Sequence, residues 1–76
     1  MSVANKVKAL LNLKNKDRAG LAAHLGISNQ ALNNKFYRDS FSVEDIIKIA
    51  DYTGVTVAFV AEDTEIVLDA KDITEK

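Results

Sequence analysis

The sequence predicts a mainly α fold in which four short helices are followed by a C-terminal β-hairpin. Up to about Thr53, apolar residues recur at the three- and four-residue spacing of helices that bury one face. Serine and glycine stand between these segments, at positions where they cap or end a helix. After Gly54 the apolar residues alternate with other residues, which is the period of a β-strand.

The first two helices are predicted from their apolar faces. Helix 1 runs from about Ser2 to Leu13, and four aliphatic residues share one of its faces: Val3, Val7, Leu10 and Leu11. Helix 2 starts near Asp17, and three apolar residues mark it: Leu21, Ala22 and Leu25. Gly26 ends helix 2, because glycine adopts the positive φ of a helix C-terminus without steric cost.

Serine marks the start of each of the next two helices. Ser28 precedes helix 3, whose narrow buried side consists of Leu32 and Phe36. Ser42 precedes helix 4, and an acidic residue three positions later repeats the capping signal. Helix 4 ends before Gly54 and carries five apolar residues: Val43, Ile46, Ile47, Ile49 and Ala50.

Two alternating segments predict the hairpin. The first contains Val55, Val57, Phe59 and Ala61, and the second contains Ile66, Leu68 and Ala70. A two-stranded hairpin is marginally stable alone, so it must pack on the helices or pair with another chain. Because 76 residues suffice for only one hydrophobic core, we expect a single domain over residues 1–76, with a helical core at 1–55 and the hairpin at 55–71.

Composition excludes several classes of function. The chain has no cysteine and one histidine, which argues against thiol catalysis, disulfides and zinc sites built from Cys and His. Adjacent acids such as Glu44 and Asp45 diverge and have no third ligand at a suitable spacing, so neither a metal site nor acid-base catalysis is expected. Apolar runs are too short for a membrane span or a signal peptide. We therefore expect a cytoplasmic protein that is not an enzyme and has no cofactor, membrane contact or evident small-molecule ligand.

The net charge of −1 conceals a strong asymmetry along the chain. Residues 1–38 contain seven Lys or Arg and one acid, whereas residues 39–76 contain ten acids and three Lys. This division indicates one surface that attracts phosphate and another that avoids it. The alternative is chance clustering of charges on solvated faces.

Residues 17–38 have the pattern of a helix-turn-helix, two short helices joined by a glycine-containing turn. Ala22 is small where the helices cross, Gly26 lies in the turn, and Leu32 is the core contact of helix 3. With this spacing, the segment LAAHLGISNQALNNKF resembles the phage repressor and Cro family, also called the Xre-like family. The segment FSVEDIIKIADYTGV resembles the family's fourth helix. The resemblance covers about residues 3–55 and implies a transcriptional regulator, most simply a repressor, whose second motif helix enters the major groove of double-stranded DNA.

Two features depart from the family pattern. Lys35 stands where the family usually has an apolar residue, and we expect Phe36 to replace its packing contact. The usual fifth helix is absent and the hairpin takes its place, which leaves the geometry of a dimer open.

The outer face of helix 3 is rich in amides, which suits base recognition. Asn29 and Gln30 lie nearest the helix N-terminus, and an amide can donate to and accept from the adenine edge in the major groove. The family resemblance adds Asn33 and Asn34, of which one should face bases and the other the DNA backbone. The alternative is that all four amides are merely solvated. No acid lies between Arg18 and Arg38, which favours the DNA interpretation.

Four further residues are predicted to contact phosphates. Arg18 matches a family position with that role, Lys35 and Arg38 flank the far end of the groove, and Ser28 caps the helix that enters it. Such contacts position a protein on DNA without reading sequence. His24 has no evident partner and is interpreted as surface or half-buried packing. Tyr37 and Phe41 are expected to cover the loop between helices 3 and 4, and the alternative for Tyr37 is stacking on the sugar or backbone of DNA.

The hairpin is predicted to form a homodimer, because its alternating apolar residues exceed what a small helical core can cover and its edges are open. The predicted contact residues are Val57, Phe59, Ile66 and Leu68. The alternative function is a protein-interaction module, such as an antitoxin or a phage adapter, that uses the hairpin and the acidic tail to bind another protein.

Overall fold

The computed structural model describes residues 2–73. Its elements, in chain order, are α1 (Val3–Leu13), α2 (Arg18–Leu25), α3 (Asn29–Arg38), α4 (Val43–Thr53), β1 (Val57–Val60), β2 (Glu65–Leu68) and a 3₁₀ turn (Ala70–Asp72). The two strands form one antiparallel sheet. The predicted fold class, four helices with a C-terminal β-hairpin, is confirmed.

Polar caps define the helix boundaries, as the sequence predicts for α3 and α4. The Ser28 hydroxyl accepts from the Ala31 N–H at 3.0 Å. Ser42 and Asp45 form a reciprocal capping box, in which each side chain accepts from the other residue's N–H at 3.0 Å. Gly26 and Gly54 follow α2 and α4 with φ of 75° and 74°, so both helices end in the left-handed conformation that glycine adopts without strain.

The core lies where α2, α3 and α4 meet, and α1 covers it. Leu21, Leu32 and Ile49 supply one fully buried side chain from each of the three meeting helices. Val7 and Leu11 of α1 are also buried against this cluster. Dense burial of aliphatic side chains stabilises the helices, which would be marginal in isolation at this length.

The buried face of α1 differs from the predicted stripe. Ala4 is buried, whereas Val3 remains 45% exposed and Leu10 is half-buried. The start of α1 is tied to the end of α3, because the Asp39 carboxylate accepts from the Ala4 N–H at 2.6 Å. Ala4 enters the core beside this contact, and Val3 and Leu10 border the core.

The hairpin is shorter than predicted. β1 pairs with β2 in a register that places Val57 opposite Leu68 and Phe59 opposite Ile66. Ala70, which the alternation assigned to the second strand, instead begins the 3₁₀ turn. The reason is local capping: the Asp69 carboxylate accepts from the Lys71 N–H at 3.0 Å, which bends the chain away from the sheet.

Candidate nucleic-acid interface

The turn between α2 and α3 sets the angle at which the two helices meet. Gly26 ends α2, and the Ile27 N–H donates to the Ala22 carbonyl at 3.0 Å, so the turn folds back on the helix it leaves. Ala22 is 1% exposed and Leu32 is fully buried, which confirms the small residue and the core contact predicted for the motif. The arrangement holds α3 on the surface of the domain, with one side against the core.

The predicted base-contact residues lie together on the exposed side of α3. Asn29, Gln30, Asn33 and Asn34 are all exposed. Leu32 and Phe36 occupy the opposite, buried side of the helix, and Phe36 makes the packing contact expected from the departure at position 35. None of the four amides contributes to the core, so their side chains are available to a ligand.

Tyr37 extends the amide face, which corrects the expectation that it covers the loop after α3. Its side chain is 90% exposed, and it lies one helical turn beyond Asn33 and Asn34. Phe41 alone makes the predicted contact, packing edge-on against Phe36 with ring centroids 5.2 Å apart. The helical spacing from Asn33 was the signal in the sequence that could have placed Tyr37 on this face.

Arg18 joins the first helix of the motif to the second. Its guanidinium lies 4.1 Å from the centroid of the Phe36 ring, and its Nη1 donates to Asn33 Oδ1 at 3.1 Å. Arginine has no acceptor, so the amide atom that faces it must be the oxygen of Asn33. The Asn33 side chain therefore directs its NH₂ group away from Arg18.

Two basic residues of α1 and the following loop lie beside Arg18, and the sequence analysis did not assign them to the site. Lys8, Lys16 and Arg18 line the same polar depression of about 260 Å³, together with Asn12 and the single acid Asp17. Lys8 Nζ is also 5.9 Å from the centroid of the Phe36 ring, next to α3. Spacing along the chain could not reveal this cluster, because it depends on Lys8 of α1 and Arg18 of α2 both approaching the ring of Phe36 in α3.

The cations predicted at the far end of α3 differ in their surroundings. Lys35 Nζ lies 2.8 Å from Asp45 Oδ2, and both side chains are mostly buried, with 28% and 15% exposed. Burial raises the pKa of Asp45, but hydrogen bonds from Lys35 and from the backbone of Ser42 outweigh it and hold that pKa below its ordinary value. Arg38 is exposed and has no ion pair within residues 2–73. Arg38 is therefore the freer of the two cations.

His24 has a partner that the sequence analysis did not anticipate. Its Nε2 lies 3.0 Å from Asp51 Oδ2, and its ring centroid is 5.5 Å from that of Tyr52. Both contacts join α2 to α4, so the packing role expected of His24 is correct and only its partner was missed. The two residues are 27 positions apart in the chain, which is why spacing could not show the pair.

The predicted dimer residues share one face of the hairpin. Phe59 and Ile66 pair directly across the strands and are 65% and 61% exposed, whereas Val57 and Leu68 are half-buried at the base. The opposite face exposes further apolar side chains, because Val60 and Val67 are 74% and 48% exposed. The hairpin thus presents apolar surface that residues 2–73 do not cover.

Within residues 2–73 there is no group of three or more His, Cys, Asp or Glu side chains that could hold a metal ion. None of the helices in that range is long and apolar enough to cross a membrane.

Two short helices joined by a glycine turn, with a polar second helix on the surface, define a helix-turn-helix domain. A sequence model of the bacteriophage CI repressor helix-turn-helix domain matches residues 4–65. The chain belongs to this family, which is a class of DNA-binding regulators and not a class of enzymes. The match extends from α1 to the first residue of β2 and confirms the resemblance to phage repressors. No curated protein and no solved structure matches the chain significantly.

Proposed function

We propose that this chain is a sequence-specific regulator of transcription that binds an operator in double-stranded DNA as a homodimer and acts as a repressor. The observation that carries the proposal is the exposed amide face of α3, which contains no acid and is anchored through Leu32 and Phe36. A helix of this kind fits the major groove, where each base pair presents a distinct pattern of donors and acceptors. Repression then follows from occupying DNA that RNA polymerase needs.

The roles of the α3 residues follow from their positions. Asn29 and Gln30, in the first turn, are proposed to contact bases together with Asn34, since a free amide can pair with both N6 and N7 of adenine. Asn33 is proposed to contact an acceptor, either a guanine edge, thymine O4 or a phosphate. The support is its hydrogen bond to Arg18, which holds the amide oxygen toward the guanidinium and directs the NH₂ group away from it.

Phosphate contacts are proposed for the residues at the two ends of α3. Ser28 uses its hydroxyl oxygen as the cap of α3, so its proton is free to be donated to a phosphate. Arg18, with Lys8 and Lys16 beside it, is proposed to contact the backbone at one end, and Arg38 at the other. Lys35 is also proposed to contact a phosphate, and it must leave its ion pair with Asp45 to do so.

Selection of bound sequences from random duplex DNA tests the proposal. A two-fold dimer should enrich a pair of related half-sites about one DNA turn (~34 Å) apart. Gln30→Ala is expected to cost about 1 to 3 kcal/mol and to relax one base position, because it removes a base contact. Asn5→Ala, which removes an exposed amide from α1, is the matched control and should change nothing. The absence of any enriched motif would contradict the proposal.

Arg18 gives a second, independent test. Arg18→Ala should weaken binding to all sequences and lower the salt dependence of the affinity, because a phosphate contact is lost. Where Asn33 contacts a base, Arg18→Ala should also change the preferred base at that position, since the guanidinium no longer orients the Asn33 amide; where Asn33 contacts a phosphate, the base preference should stay unchanged. Arg18→Lys keeps the charge without the planar guanidinium that stacks on Phe36, so it should restore the overall affinity better than the base preference.

The second candidate function is a module that binds another protein through the hairpin. The observation that favours it is the exposed apolar surface on both faces of the sheet. Sedimentation of the purified chain separates the two functions, because self-association supports the regulator and a strict monomer supports a partner protein.

A further inference from the structure

An apolar groove lies beside the base of the hairpin. It has a volume of about 360 Å³, and α1 lines one wall, α4 the other and the chain after α4 its end. The apolar residues that border it include Val3, Val7, Leu10, Ile46, Val55 and Val57. Val3 and Leu10 belong to the predicted core stripe of α1 and are the two members that the core leaves partly exposed. The groove is therefore apolar surface on the helical part of the domain that residues 2–73 do not fill.

We infer that this groove receives the hairpin of a second copy of the chain, with Phe59 as the inserted side chain. The inference deepens the homodimer of the proposed function and rests on it. Phe59 and Ile66 form an apolar projection with more than half of each side chain exposed, and the chain's own groove does not take them up. The apolar projection lacks a partner surface, and the groove lacks an occupant, so each can supply what the other lacks.

The positions of groove and projection suit a two-fold axis. Val57 lines the groove and lies on the same face of β1 as Phe59, which is two residues or roughly 7 Å farther along the strand. A two-fold dimer needs a surface patch that is complementary to itself. A groove with a projection directly beside it meets this need, because a two-fold axis between the copies lets each copy's projection enter the other's groove.

Charge is complementary between the same two surfaces. Lys6 stands on the rim of the groove, is exposed, and has no ion pair within residues 2–73. The turn of the hairpin next to Phe59 carries two exposed acids, Glu62 and Asp63, and Glu65 begins β2. Insertion of the hairpin of a second copy brings these acids toward Lys6. The favoured occupant is accordingly another copy of this chain.

Cysteine cross-linking tests the inference without background, because the chain contains no cysteine. Ile66→Cys keeps Phe59 in place and is mixed in equal amounts with Val3→Cys, which marks the groove. Leu13→Cys, also on α1 and 77% exposed, replaces Val3→Cys in the control mixture. After mild oxidation, we expect the mixed disulfide with Val3→Cys in several-fold higher yield than the one with Leu13→Cys. Equal yields, or disulfides only between two copies of Ile66→Cys, would overturn the inference.

Sedimentation provides the second measurement. Lys6→Glu should raise the dimer Kd by up to about 25-fold, because a two-fold dimer contains two such exposed ion pairs, each worth up to about fivefold, and Glu62→Lys with Asp63→Lys should reverse the effect. Lys14→Glu, with a lysine that has no ion pair within residues 2–73, is the matched control. A Kd unchanged by Lys6→Glu, or a wild-type chain that stays monomeric, contradicts the docking of a second copy.

DNA selection with the wild-type chain separates this inference from the proposed function. If selection enriches paired half-sites but no cross-link to the groove forms, the proposed DNA-reading role of α3 stands and the groove is not the dimer contact. If cross-links to the groove form but selection enriches no DNA motif, the dimer contact stands and the proposed reading of DNA is wrong.

Discussion

The α2–α3 motif and the hairpin expose surfaces of opposite chemistry. On α3, apolar side chains are buried and the exposed side carries amides, whereas the hairpin exposes Phe59, Val60, Ile66 and Val67. Water solvates the first surface well, so its amides need no partner to be stable. The second surface loses free energy by contact with water and gains it when covered. The contrast supports the proposed division of function, in which α3 recognises a polar ligand and the hairpin associates with another protein chain.

The largest expected effect is on the core beneath α3. Leu32→Ala should lower the free energy of unfolding by about 2 to 5 kcal/mol, because Leu32 is fully buried and its loss leaves a cavity. Phe59→Ala, at a dilution where the chain is monomeric, should cost less than about 1 kcal/mol, because this side chain is mostly exposed. Urea denaturation measures both values. If both variants lose the same free energy of unfolding, the contrast between a packed motif and an uncovered hairpin is wrong.

The next largest effect is expected on dimer formation, which the hairpin is proposed to provide independently of DNA reading by α3. Phe59→Asp should abolish the dimer, because it places a charge in an apolar contact. It should keep the base preference of α3 on a single half-site, bound more weakly since one module covers little surface. Anisotropy titrations with single and paired half-sites measure both. A changed base preference in Phe59→Asp would show that the hairpin takes part in reading DNA.

A smaller effect is expected at the ion pair behind α3. The pKa of Asp45 is lower in the folded chain than its ordinary value of 3.8, so the carboxylate adds stability above that pH and the gain is lost as the pH falls through the lowered value. Asp45→Asn should therefore cost about 1 kcal/mol at pH 7, through the ion pair and the helix cap, and much less in strong acid. Unfolding measured from pH 7 to pH 2 follows the change. The control is Glu44→Gln, which removes an exposed pair with Lys48 and should have little effect at any pH.

The smallest expected effect is at Tyr37. Tyr37→Ala should weaken DNA binding by about 0.5 to 1.5 kcal/mol, the net value of one hydrogen bond, and leave the free energy of unfolding unchanged because the side chain is 90% exposed. Tyr37→Phe distinguishes a contact by the hydroxyl from one by the ring. If both variants bind DNA like the wild type, Tyr37 takes no part in the interface.

The sequence predicted the helices well because their signals are local. Ser28, Ser42, Gly26 and Gly54 act within one turn of their own positions, so the boundaries of α2, α3 and α4 follow from propensity and capping alone. The four exposed amides of α3 were predicted for the same reason, since a helical period with Leu32 buried leaves them outside.

The features that the sequence missed depend on contacts between distant residues. The hydrogen bond between Ala4 and Asp39 joins residues 35 positions apart and ties the start of α1 to the end of α3. His24 pairs with Asp51 across 27 positions, and Lys8 lies near Arg18 because both approach the Phe36 ring of α3. The end of β2 was missed for another reason, since capping by Asp69 overrides the alternation that includes Ala70. Periodicity predicts which face of a helix or strand is buried, but it does not predict which other element that face contacts.

NMR titration of the labelled chain with its selected duplex tests the central claim most directly, because each side-chain amide gives its own signal. The account predicts that the NH₂ signals of Asn29, Gln30, Asn33 and Asn34 shift on binding, while those of Asn5 and the backbone signals of Phe59 and Ile66 do not. Shifts confined to the hairpin, with the amides of α3 unmoved, would contradict it.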